Sequence, residues 1–196
     1  MRRDPTRRGR NTARSLPANP TLAANVPEGT ALDRIDCRIL LLLQEEGRIT
    51  NAELAARIGL SASPCLRRVR RLEAEGYIQK YSAVLSAEKV GFGATVFVHV
   101  SITESTSAAI TAFRAAVAKI PQILACHAVS GNEDFLLIVL THDLQSFKRF
   151  NDETLLHLPH VSKKVSSFSL DAMKQTYALP LELLPAFRAA VTDWRR

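Results

Sequence analysis

The sequence predicts an α+β chain in which three closely spaced helices precede a β-α-β-β-α-β unit. Three observations predict it. Apolar residues recur at helical spacing from Ile35 to Leu72, interrupted at Gly47 and Gly59. From Gly93 onward, β-branched and aromatic runs alternate with helical stretches. The charge is also divided: residues 1–81 hold 15 Lys and Arg against 9 Asp and Glu, while the rest hold 11 against 10. A basic front half on a near-neutral back half suggests a polyanion-binding module joined to a second module with another task.

Residues 1–30 are rich in Arg, Pro, Asn and Ala without periodicity, and are expected to be a disordered basic tail. Its six arginines (Arg2, Arg3, Arg7, Arg8, Arg10, Arg14) suit either loose contact with DNA or simple solubility. In the first helix, after Asp33, Ile35, Ile39 and Leu42/Leu43 share a face and Gly47 stops the run. The second begins at Thr50, with Glu53 three residues on, the spacing of a capping box. Leu54 and Ile58 form its buried stripe and Gly59 ends it. The third follows a three-residue turn, is capped by Ser61 or Ser63, carries Pro64 in its first turn and runs to about Glu75. Residues 31–76 thus form one helical domain.

Residues 77–92 read as a strand linker, because "YIQKYSAVLS" is β-branched and aromatic. Residues 93–175 contain "GATVFVHVSI" as a strand, then a helix to Pro121, two strands joined at "GNED", a helix ending before Pro159 and the strand "VSKKVSSFSL". That order is the ferredoxin-like arrangement of two helices on an antiparallel sheet. Residues 176–196 place Leu181, Leu184, Phe187, Val191 and Trp194 at helical spacing, an amphipathic extension expected to dock on the protein or on a partner subunit.

Composition excludes several classes. No apolar run approaches a membrane span, and the basic start lacks the apolar core of a secretory signal, so the chain is expected to be cytoplasmic, without a membrane partner. Cys37, Cys65 and Cys126 are odd in number and far apart. They read as small buried hydrophobes rather than disulfides or a metal site.

The third helix carries the functional signal. Four of the five positions from Arg67 to Arg71 are arginine. Leu66, Val69 and Leu72 are expected to form its buried face, with Cys65 packed beside them. A capped helix, a tight turn and a cationic second helix together make the helix-turn-helix layout, whose second helix enters the major groove of double-stranded DNA. Ala62, Ser63 and Arg67 then lie closest to base edges. Arg68, Arg70 and Arg71 are expected at phosphates, with Arg48 a further phosphate candidate and Lys80 one on a wing-like strand. A solvated charged face is the competing reading. Against it, all four charges share one sign and acids return only at Glu73 and Glu75.

The run "LDRIDCRILLLLQEEGRITNAELAARIGLSASPCLRRVRRLEAEGYIQKYSAVL" closely resembles the N-terminal half of the Lrp/AsnC, or feast/famine, transcription regulators, and "CHAVSGNEDFLLIV" and "ETLLHLPHV" resemble their C-terminal half. The resemblance spans about residues 31–175. It implies a winged-helix-like DNA-binding domain and an effector-binding and oligomerisation domain. It further implies homodimers that assemble further, often to octamers, on roughly palindromic operators, and a small effector, usually an amino acid, held between subunits. The effector loop matches Gly131, Asn132, Glu133 and Asp134, bordered by His127 and Ser130; Phe168 and Ser169 match positions that influence the response. The family loop commonly reads Gly-Asp-aromatic-Asp, so here a carboxylate replaces an aromatic wall and an amide replaces an acid.

Two other classes compete with this reading. Some tetrapyrrole decarboxylases share the architecture by family resemblance. Of the five histidines (His99, His127, His142, His157, His160), however, only His157 and His160 are close, and no nucleophile elbow, phosphate loop or H-E-x-x-H occurs. No enzymatic activity, cofactor or metal is expected. An architectural DNA-binding protein without effector response stays as the alternative; its affinity would vary little with sequence.

Overall fold

The computed structural model describes residues 32–192. They divide into two units, one of residues 87–170, the other of residues 32–86 together with 171–192. The C-terminal extension groups with the helical unit. Residues 1–31, with the basic tail, and Trp194 lie outside the described residues.

In the helical unit, α1 is Arg34–Glu45, α2 Asn51–Ile58 and α3 Ala62–Ala74. Thr50 caps α2 as expected, its hydroxyl accepting the Glu53 N–H while the Glu53 carboxylate accepts the Thr50 N–H at 3.0 Å. Asp33 and Asp36 make the same reciprocal box on α1. Ser61 occupies the cap position of α3 but makes no side-chain capping bond there, and Ser63 lies inside the helix, exposed. Gly59 closes α2 in the left-handed region at φ 73°. The Asn51 amide then donates to the Ala62 carbonyl at 2.9 Å, spanning the turn and fixing the start of α3 against α2.

The three helices bury Ile39, Leu42, Leu54, Ala55, Ile58, Cys65 and Leu72. Each large side chain among them contributes about 2 kcal/mol on leaving water. The buried stripe of α3 differs from the expected one: Cys65 and Leu72 are fully buried and Val69 half-buried, whereas Leu66 is exposed. Cys65, Val69 and Leu72 fall at i, i+4 and i+7, the wider core-facing stripe of a helix packed on two neighbours.

No strand forms in residues 77–86. The segment instead folds back along α3, the Ile78 N–H donating to the Leu72 carbonyl at 3.3 Å and the Tyr81 hydroxyl to Glu73 at 3.0 Å. Burial and the adjacent Glu73 carboxylate push the Tyr81 phenol up to about 12. The expected wing-like strand, and Lys80 upon it, is an irregular exposed stretch.

The second unit runs β1 Ala94–Ile102, α4 Ser107–Val117, β2 Ile123–Ala128, β3 Phe135–Thr141, α5 Leu144–Glu153, β4 Val161–Phe168. The sheet order is β2-β3-β1-β4 and every pairing is antiparallel, the ferredoxin-like topology expected from the element order. Strand alternation sorts the side chains. Val96, Val98, Val100, Ile102, Leu137 and Val139 are buried with Phe113 of α4 and Phe147 and Phe150 of α5. On the opposite face Phe97, His99, Leu136, Ile138 and Leu140 are half-buried, with Phe97 opposite Ile138 and His99 opposite Leu136. Gly93 immediately precedes β1 where space is short, since a Cβ there would stand 2.9 Å from the His142 carbonyl oxygen.

The chain returns to the helical unit through residues 171–180, all exposed, then a 3-10 turn at Leu181–Leu183 and α6, Pro185–Thr192. Phe187 and Ala190 of α6 are buried against Cys37 of α1, flanked by Leu40, Leu41 and Leu181. Of the three cysteines, Cys37 and Cys65 are buried as expected, but Cys126 is exposed on the outermost strand of the sheet.

Candidate nucleic-acid interface and effector site

The arginines of α3 separate into two pairs. Each helical residue turns by about 100°, so taking the buried Cys65–Leu72 line as zero places Arg67 and Arg70 on the opposite side. Ser63 shares their side, at i, i+4 and i+7, and Leu66 stands beside them. Ser63, Leu66, Arg67 and Arg70 are all exposed. On the remaining side, Arg68 stands about 60° and Arg71 about 120° from that line, and both are drawn to α1. Arg68 Nη1 donates to Asp33 Oδ2 at 2.6 Å and to Asp36 Oδ1 at 2.8 Å, and Arg71 Nη2 pairs with Asp36 Oδ2. Asp36 is 1% exposed, so its charge is tolerated only because these guanidinium groups neutralise it. Burial alone would raise the Asp33 carboxyl, but the Asp36 N–H and the Arg68 guanidinium hold it below its ordinary value. Arg68 and Arg71, grouped with the phosphate contacts on sequence grounds, thus also brace α3 against α1. Arg71 remains partly exposed and also lies 3.8 Å from Glu75.

Ala62 is exposed at the tip of α3 beside Ser63, and Arg48 is exposed ahead of α2. Leu66 is the surface residue that helical spacing alone assigns to the core. The signal that could have placed it is the pairing of Cys65 with Leu72 seven residues on.

In the sheet unit, the loop joining β2 and β3 turns through Gly131, whose φ of 135° suits glycine. Asp134 braces this loop. Its carboxylate accepts the Ile102 N–H at 2.9 Å, its own N–H donates to the Val100 carbonyl at 2.9 Å, and its carbonyl accepts the Val129 N–H at 3.0 Å. Part of the accepting capacity of the Asp134 carboxylate is thus spent on the end of β1. Asp134→Ala is expected to lower the unfolding midpoint of the effector-free protein by the equivalent of about 2 kcal/mol, read by thermal melts, because it orphans the Ile102 N–H. An unchanged melt would leave Asp134 without a bracing role.

Within one chain the expected effector residues do not form one cluster. The loop Ser130–Asp134 joins β1 near Val100 and Ile102, whereas Phe168 pairs with Val96 and the Ser169 N–H meets the Thr95 carbonyl. An offset of four to six positions along β1, from Val96 to Val100 and Ile102, separates the two groups by about 13–20 Å. Phe168 packs edge-on against Phe147 and lines an open hollow of about 650 Å³ with Leu144, Gln145, Lys148 and Asn151. His127 lines another, of about 470 Å³, between α4 and β2, with Arg114 as its cationic group. Asn132 is exposed and Glu133 half-buried. Among the described residues no cluster of three or more His, Cys, Asp or Glu is placed to hold a metal ion, and no helix is long and apolar enough to cross a membrane.

Comparison with known proteins decides the family. Residues 32–79 match the model of the winged helix-turn-helix DNA-binding domain, and residues 95–179 match that of the Lrp/AsnC ligand binding domain. The chain belongs to the Lrp/AsnC family. Leucine-responsive regulatory proteins are similar over 154 residues, that of Salmonella typhimurium at 41% identity and that of Escherichia coli K12 at 40%, each match covering 79% of this chain and 94% of the relative. Among solved structures, a transcriptional regulator from Neisseria meningitidis in complex with L-methionine is 44% identical with a TM-score of 0.73, covering 78% of this chain and 99% of that one. A feast or famine regulatory protein of M. tuberculosis, also complexed with L-methionine, is 30% identical with a TM-score of 0.68, covering 75% of this chain and 97% of that one. This Lrp/AsnC protein is a DNA-binding transcriptional regulator with a ligand-binding domain, and its relatives are regulators, not enzymes. Its α6 lies beyond both family matches.

Proposed function

We propose that this regulator binds a roughly palindromic operator as a homodimer, and that an amino acid bound between subunits resets its assembly and its DNA affinity. The observation that carries the DNA reading is the row Ser63, Leu66, Arg67 and Arg70, exposed on a helix whose opposite side is packed and ion-paired. On this reading Ser63 and Arg67 read base edges, Leu66 meets a thymine methyl, and Arg70 and Arg48 hold phosphate. The apolar sheet face of Phe97, Leu136, Ile138 and Leu140 suits pairing with a second copy, and higher assemblies up to an octamer follow the family pattern.

The effector reading draws support from the relatives complexed with L-methionine. Since loop and strand-end residues lie apart in one chain, a shared pocket needs more than one copy. Glu133, in place of the family's aromatic residue, biases that pocket toward a polar or cationic amino acid. Acting on DNA, the protein works in the cytoplasm.

The test is binding to the DNA upstream of the protein's own gene, with a panel of amino acids, alongside light scattering. At least one amino acid is expected to change both affinity and assembly, because a ligand acts only through its preference for one state. Affinity indifferent to DNA sequence and to every amino acid would instead assign the protein an architectural role.

A further inference from the structure

The segment from Leu179, the last residue of the family match, through α6 docks on the DNA-binding unit. Three contacts hold it. The side-chain amide of Gln44 on α1 grips the Leu179 backbone twice, donating to its carbonyl at 2.8 Å and accepting its N–H at 2.9 Å. Phe187 and Ala190 of α6, 4% and 0% exposed, cover Cys37, which is 0% exposed. The Cys37 thiol donates to the Ala186 carbonyl at 3.4 Å. Apolar burial, a two-point clamp and a buried thiol bond all select the same face of α1, that of Cys37, Leu40 and Leu41. It lies off the side that pairs with α3 through Asp36.

The consequence follows from connectivity. The helical unit is joined to the sheet unit twice, once at 86/87 and again at 170/171. A helix-turn-helix unit on a single irregular tether samples many orientations. Closing a second connection removes part of that freedom, at an entropic cost that buried contacts such as those of Phe187 must offset.

We propose that α6 is a latch which narrows the orientations of the DNA-binding unit and thereby sets how strictly the regulator discriminates the spacing between half-sites. The inference rests on the reading of paired half-sites given above. Its chemistry is local to the chain: the occupant of the α1 face is the chain's own residues 179–190. A latched pair of units binds one spacing well and is strained at others. An unlatched pair reaches several spacings, each at a similar effective concentration.

The experiment uses the full-length protein carrying Cys126→Ser, compared with the same protein bearing Phe187→Asp, Gln44→Ala or a stop after Leu170. Docking is read by thiol labelling of Cys37, assigned by peptide mass. Spacing is read by affinity for duplexes built from the operator upstream of the protein's own gene, the spacer lengthened one base pair at a time through one turn, about 10 bp. Cys37 is expected to be protected in the parent and to label on the order of tenfold faster in Phe187→Asp and in the truncated chain, since covering contacts govern local opening. Gln44→Ala, which keeps the apolar seat, is expected to fall between, so the series survives misfolding of one variant. The ratio of best to worst spacing is expected to fall at least about threefold as Cys37 opens.

Cys37 that labels readily in the parent overturns the latch, because α6 then does not dock. A spacing preference that survives opening of Cys37 overturns it as well, leaving α6 a stabilising helix only. A parent protein indifferent to spacing overturns the paired half-site reading, and this inference with it.

Discussion

Replacing Arg67 and Arg70 together with alanine is expected to weaken operator binding on the order of 100-fold in moderate salt while leaving the unfolding midpoint unchanged. Each side chain reaches away from the core, so neither gives up a folded-state partner. Removing one base or phosphate interaction of such a helix costs about 1–3 kcal/mol, and surface substitutions away from packed features stay within about 0.5 kcal/mol of the parent. Fluorescence anisotropy across a salt series checks it, with a thermal melt beside it. If Arg70 holds a phosphate, the slope of log affinity against log salt shallows by about one for each phosphate released. Undiminished affinity in a folded double variant would remove the outward row from the interface. Replacing all four arginines would not serve, because Arg68 and Arg71 also brace α1 and their removal would confuse unfolding with weak binding.

Asp36→Ala is expected to do the reverse, destabilising the helical unit far more than it disturbs any DNA contact. Asp36 is buried, and both Arg68 and Arg71 converge on it. Removing one side of a buried pair costs about 3–5 kcal/mol when the other charge stays buried. Both guanidinium groups retain some exposure and can turn to water, so the lower end, about 3 kcal/mol, applies here. For a small domain that lowers the midpoint by more than about 10 °C. Circular dichroism and calorimetry read it directly, and a shift of only a degree or two would show that the acid–arginine cluster contributes little. Acid should act through the same cluster. The Asp33 carboxyl lies below its ordinary value of 3.8 in the folded chain, so its contribution is complete above that value and is lost as pH falls through the lower, folded one. The helical unit should therefore lose stability on acidification below about pH 4, and Arg68→Ala should flatten that loss.

How much of this was legible in sequence depends on the range of the interaction concerned. The Thr50–Glu53 box, the three-residue turn and the apolar periodicity of α2 act within a few residues, and they appear where the sequence places them. The strand order could be inferred because each strand alternates against two helices, a pattern with few topological solutions. The stretch 77–86 has strand-forming residues but no ladder partner among the described residues, and β-propensity without a partner strand does not make a strand. Spacing misplaces Leu66 because Leu66/Val69/Leu72 and Cys65/Val69/Leu72 fit the period almost equally. Only the neighbours of α3 choose between them.

The sequence by itself determined the family, the helix-turn-helix layout and the sheet topology, since each is written in local spacing and in motifs read in order. The tertiary structure decided which arginines pair with α1, because a charge run carries no record of the acids that α1 brings beside it. It also decided where the C-terminal helix seats. Apolar periodicity shows that a face must be covered, but what covers it depends on where the chain brings Phe187 and Cys37 together.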